Sequence, residues 1–65
     1  MKNDFKSIED FVHSMHKMGL SQTVADKCNV SIYSVWWWVR DNKVPEKQKI
    51  KLVKAFNLNP NILTN

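Results

Sequence analysis

Three tryptophans in a row, Trp36, Trp37 and Trp38, lie within a stretch from Ser21 to Arg40 whose remaining apolar residues have helical spacing. Successive residues of a helix turn by about 100°, so three consecutive side chains point in three different directions. A helix on the surface of a small domain has a single apolar stripe toward the core. At least one of the three indoles must therefore face outward. The chain has 65 residues. A domain of that size buries only about 60% of the surface its unfolded chain exposes, so an outward indole is a large investment of scarce apolar surface. Beside lysines and an arginine, it suggests a surface made to touch something.

The rest of the composition narrows the class. With 43% hydrophobic and 25% charged residues, one glycine and two prolines, the chain has the makings of a folded helical domain rather than a disordered or turn-rich all-β one. A single cysteine, Cys28, forms no internal disulfide, which fits a cytoplasmic setting. Met1 to Lys6 is polar with no continuous apolar run behind it, and no segment approaches the ~20 apolar residues of a membrane span. Residues 1–65 read as one domain. Net charge is +4, and it is unevenly placed. Up to residue 39, Lys2, Lys6, Lys17 and Lys27 balance Asp4, Glu9, Asp10 and Asp26; from there on, Arg40, Lys43, Lys47, Lys49, Lys51 and Lys54 face only Asp41 and Glu46. A locally basic half suits a polyanion, nucleic acid or an acidic protein, and equally keeps a small protein in solution.

Periodicity and end signals divide the chain into helices. Ile8, Phe11, Val12, Met15 and Met18 recur at helical spacing behind Ser7, an N-cap with Asp10 three residues on, and Gly19 supplies the stop. Ser21 caps the second segment, whose inner face is Val24, Ala25 and Cys28, and Asn29 ends it by tolerating positive φ. Val30 plugs the turn, and Ser31 caps a third helix running to about Arg40. Asp41-Asn42-Lys43 is a polar turn. Pro45 takes a first helical position with Glu46 beside it; Ile50, Leu52, Val53, Ala55 and Phe56 form the apolar side of a fourth helix that Asn57 closes. Asn59-Pro60 opens a short terminal turn over Asn61 to Thr64 that buries Ile62 or Leu63. The expected fold is all-α, with five short helices.

Residues 21–40 carry the pattern of a helix-turn-helix: a small residue in the first helix (Ala25), a left-handed turn residue four positions later (Asn29), an apolar plug (Val30), and two buried positions three apart in the second helix (Val35 and Trp38). Val24-Ala25-Asp26-Lys27, Asn29-Val30-Ser31, Val35 and Trp38 resemble the helix-turn-helix of the phage Cro and lambda-repressor-like regulators. Lys43-Val44-Pro45-Glu46-Lys47 is similar to the segment after the recognition helix in the all-helical Cro proteins and the YdaS-like antitoxins. Ala55-Phe56-Asn57-Leu58-Asn59-Pro60 with Ile62-Leu63 resembles the family's closing corner. The likeness spans about residues 7–64. It departs at Asn29, where glycine is usual, and at Trp37, where a polar base-contacting residue is common.

With Val35 turned inward, Trp38 and Val39 flank it on the buried side, Ile32 sits at the margin, and Tyr33, Trp37 and Arg40 fall on the opposite face. Trp38 is read as core. Trp36, at the border, is either half-buried against the fourth helix or the loop before it, or a wall beside the DNA backbone. Trp37 either enters the major groove with Tyr33 to meet thymine methyls, or forms a self-association patch, or anchors a protein partner. The resemblance implies base contacts from Ser31, Ile32, Tyr33, Ser34 and Trp37, although Ser31 also serves as a cap and Ile32 as a core edge. It implies phosphate contacts from Ser21, Gln22, Trp36, Arg40, Asn42, Lys43 and Lys47, for several of which a plain solvated role is the alternative. Lys51 and Lys54 are read as solubilising.

His13 and His16 lie three apart without further ligands and read as a polar helix face; Cys28 reads as a small buried hydrophobe. No catalytic triad, carboxylate pair or phosphate-binding glycine loop stands out, so an enzyme is not expected, nor a cofactor or metal. The resemblance implies a transcriptional repressor of Cro type, phage- or prophage-encoded, acting in the bacterial cytoplasm on a double-stranded DNA operator, as a homodimer at least on DNA. Phe56, Leu58, Ile62 and Leu63 are candidates for the dimer surface or for core. The rival readings are an antitoxin that represses its own operon and an adaptor that offers Tyr33, Trp36 and Trp37 to a protein such as a toxin or polymerase.

Overall fold

Four residues with left-handed backbone divide the chain: Gly19 at φ 76°, Asn29 at 58°, Asn42 at 53° and Asn57 at 54°. In the computed structural model, which describes residues 5–64, each of them ends an α-helix. These helices are α1 (Ile8–Lys17), α2 (Ser21–Cys28), α3 (Ile32–Asp41) and α4 (Glu46–Ala55). After each left-handed residue the next amide donates to a carbonyl five residues back: Leu20 to Met15 at 2.8 Å, Val30 to Ala25 at 3.0 Å, Lys43 to Trp38 at 3.0 Å, and Leu58 to Val53 at 2.9 Å. This closure satisfies carbonyls that a helix end otherwise leaves without partners. Asparagine is the L-residue best able to take this backbone, which explains how a chain with one glycine makes four such stops.

The described residues contain helices and no strand. The expected fifth helix is not an α-helix: Pro60–Thr64 forms a 3₁₀ helix, with the Asn59 side chain accepting from the Asn61 amide at 3.0 Å. Met1–Asp4 and Asn65, including Lys2 and Asp4 of the charge balance, lie outside the described residues.

α3 packs across α1 and α2, and α4 packs on α2. Ala25 of α2 is fully buried and belongs to the same core. Ile8, Phe11, Val12 and Met15 of α1 meet Val24 and Cys28 of α2, Val35 and Trp38 of α3, and Leu52 and Val53 of α4 in one core. Fully burying an aliphatic side chain of this kind contributes about 1.5–3 kcal/mol. Leu58 and Ile62 close the core from below, with Phe56 and Leu63 packed against it. The four residues considered for a dimer surface are thus used within one copy of the chain.

Several local expectations need correction. Met18 is 62% exposed, because the backbone leaves helical geometry there and the apolar period no longer points inward. Ile50 is 45% exposed, and Ala55 is exposed as well. Both lie about 110° from the centre of the stripe defined by Leu52 and Val53. Lys49 falls on that stripe instead and is the half-buried lysine of α4. Pro45 precedes α4 rather than opening it. Ser7 does cap α1, its Oγ accepting from the Asp10 amide at 3.1 Å. Ser21 does not cap α2: it is the first helical residue, 5% exposed, and its hydroxyl shares a 2.7 Å hydrogen bond with His16 Nδ1 across the α1–α2 corner. Ser31 precedes α3 without a side-chain capping bond.

Candidate functional site

Helix α3 has two unlike sides. Val35 is fully buried and Trp38 is 8% exposed, so this side is anchored in the core. Tyr33 and Trp37 are each 65% exposed, and the Arg40 side chain is 81% exposed. Ile32 and Val39 are half-buried between them. The outer face is subdivided by the 100° helical step. Trp36 leans one way and meets Tyr33 edge-to-face, ring centroids 5.2 Å apart and planes at 88°. It is 43% exposed rather than half-buried, and its ring partner lies on its own helix. Trp37 leans the other way.

On the Trp37 side lies an open groove of about 540 Å³, lined by Tyr33, Ser34, Trp37, Trp38, Asp41, Lys43 and Pro45. Ser34, Trp37, Trp38 and Asp41 are on one flank of α3; Lys43 and Pro45 supply the opposite wall from the α3–α4 connection. Sequence periodicity places Trp37 outward but says nothing of this wall, because it depends on how the connection folds back.

That connection is held by a long-range polar contact. Val44 is 3% exposed, and its amide donates to Glu9 Oε2 at 3.0 Å. The same oxygen lies 3.5 Å from Lys49 Nζ. Burial alone would raise the Glu9 pKa, but the Val44 hydrogen bond and the Lys49 charge outweigh it and hold the carboxyl below its ordinary value. One carboxylate of α1 thereby fixes both the wall beside the groove and the start of α4. Glu9 was not singled out from the sequence; its partners are 35 and 40 residues away, and no local pattern marks such a pairing.

The other candidate contacts are spread around this helix. Ser31 is exposed at its start and Ser34 half-buried on its groove side. Gln22 is exposed on α2, its side-chain amide donating to Asp26 Oδ1 at 3.0 Å. Ser21 has its hydroxyl turned in toward His16. Arg40 Nε is 3.9 Å from Asp41 Oδ1, a long pair between two exposed groups that leaves the guanidinium open to other anions. Asn42 and Lys43 are exposed just beyond α3, and Lys47 is exposed in the first turn of α4.

Lys51 is less free than the sequence suggests. Its ammonium donates to the Cys28 carbonyl at 3.3 Å and so places a positive charge at the C-terminus of α2. Burial pushes the Cys28 thiol up, against the opposing pull of Lys51, and leaves it an unreactive core group. Among the described residues no three histidine, cysteine or carboxylate side chains gather as a metal site, and no helix is long and apolar enough to cross a membrane.

No family model, curated protein or solved structure matches the chain.

Proposed function

We propose that the chain is a sequence-specific double-stranded DNA-binding protein, a transcriptional repressor of Cro type, in which α2, the turn Asn29–Ser31 and α3 act as a helix-turn-helix. The observation that carries this reading is the division of α3: Val35 and Trp38 hold it, and Tyr33, Trp37 and Arg40 are left outward along a helix that fits a major groove. Arg40 in the last turn of the recognition helix, and Lys43 and Lys47 beyond it, are basic residues that can meet the flanking phosphates. Gln22 and the first amides of α2 face the opposite phosphate run in such a docking, Ser21 contributing through its backbone. Occupying an operator would block polymerase sterically. A single small module binds weakly, so two copies would pair on a two-fold site with half-sites about one helical turn apart. An antitoxin controlling its own operon would use the same surface.

A salt titration of duplex binding tests the reading. The log of the association constant should fall linearly with the log of salt concentration, with a slope of about −0.9 per phosphate contacted. Binding that is absent, or insensitive to salt, contradicts it. The paired rings of Tyr33 and Trp36 favour one rival, an adaptor for a protein partner, since exposed aromatics are the usual anchors of interfaces. Specific operator binding by the isolated chain would count against a pure adaptor.

A further inference from the structure

We propose that the outer face of α3 chooses bases by their 5-methyl groups, so that the chain recognises thymine-bearing steps without a bidentate contact to guanine or adenine. The inference rests on the DNA-binding reading above and specifies its mode of readout. It follows from what this face carries and what it lacks. Bidentate recognition of guanine needs arginine or lysine, and of adenine asparagine or glutamine. From Ser31 to Val39 the helix has none of these. Its first basic residue is Arg40, in the last turn, beside Asp41. What it presents to a groove is aromatic: Tyr33 and Trp37, each 65% exposed, and Trp36 at 43%.

The polar atoms of these rings agree with that choice. An indole N–H donates and cannot accept. Trp36 and Trp37 are both exposed, and neither donates to another group among the described residues. Thymine offers an acceptor, O4, next to its methyl; cytosine offers a donor amino group and no methyl. A ring with an apolar body and one donor therefore opposes cytosine and matches thymine O4; guanine and adenine also offer acceptors to such a donor, so it is the methyl group that singles out thymine. The groove beside Trp37 adds apolar walls from Trp38 and Pro45, with Ser34 at its side, into which a methyl projecting from the major groove can settle. Charge around it is mixed at the rim, Lys43 against Asp41, but Arg40 and Lys47 add further positive charge nearby, which suits a duplex better than an uncharged partner.

The test uses the full chain and duplexes that it selects from a random pool. Affinity is then measured for a selected duplex, and for the same duplex with every thymine replaced by deoxyuridine, which removes the methyl and keeps base pairing. Binding should weaken by about fourfold for each contacted methyl lost. Trp37→Ala, checked for its helical circular dichroism, should show a smaller difference between the two duplexes than the wild-type chain. Selection of thymine-free sites, or equal affinity of the wild-type chain for the thymine and deoxyuridine duplexes, overturns methyl readout and leaves DNA binding standing. Failure to select any duplex at all overturns both.

Discussion

The domain has two aromatic clusters of nearly the same internal geometry and opposite surroundings. Phe5 and Phe11 meet edge-on at 5.1 Å, and Phe11 meets Phe56 at 5.1 Å. Tyr33 and Trp36 meet edge-on at 5.2 Å. The first cluster joins three separate parts of the chain: the segment before α1, α1 itself and the end of α4. Phe11 at its centre is 5% exposed. The second joins two residues three apart on one helix, and both rings are exposed. Ring contact by itself therefore does not mark a core. A contact between distant segments resists unfolding; a contact within one turn is present whenever that turn is helical and is free to serve something else.

The comparison predicts unequal costs. Phe11→Ala should lose about 3–5 kcal/mol, most or all of the stability of a domain this small, read by thermal or urea unfolding. Glu9→Ala should cost about 1–3 kcal/mol, because it leaves the buried Val44 amide without an acceptor, and Glu9→Gln should cost less because a carbonyl oxygen remains. The sign of the pH dependence follows. The Glu9 carboxyl is held below its unfolded value of 4.5, so its contribution is complete above that pH and is lost as pH falls through the lower folded value. Unfolding measured from neutral to acid pH should show this loss in the wild type and not in Glu9→Gln.

At the turn between α2 and α3, Asn29→Gly should stabilise by about 0.5–1 kcal/mol and Asn29→Ala should destabilise by a similar amount, since the alanine Cβ is strained at positive φ. The smallest stability effect belongs to the outward ring. Trp37→Ala should move stability by less than about 1 kcal/mol, while weakening operator binding by at least about tenfold if the ring is a central contact. A large loss of stability in that variant would erase the distinction between the two clusters.

What could be read from the sequence tracks the range of the interaction concerned. Helix stops at Gly19, Asn29 and Asn57 are local backbone chemistry, and they are legible. So is the inward pairing of Val35 with Trp38, which needs only the helical period. Ser21 was misread because a serine before a helical run looks like a cap; its hydroxyl is instead claimed by His16 from the preceding helix. Ile50 was misread because an apolar residue near a stripe does not reveal that the stripe is centred on Leu52 and Val53. The groove beside Trp37 was missed, since its far wall is set by Val44 and Glu9, residues that only the tertiary fold brings together. The outwardness of Tyr33, Trp37 and Arg40 was legible; the groove beside them was not.

The three adjacent tryptophans supply their own internal control for the central claim that the outer side of α3 is a DNA-contacting surface. In a ¹⁵N spectrum of the full chain each indole N–H gives a separate signal. On adding a selected operator duplex, the signals of Trp36 and Trp37 should shift strongly, and that of Trp38, only 8% exposed and meeting the groove at its edge, should shift less than either. Shifts confined to α1 and the end of α4, with the Trp36 and Trp37 indoles unmoved at saturating duplex, would contradict the account.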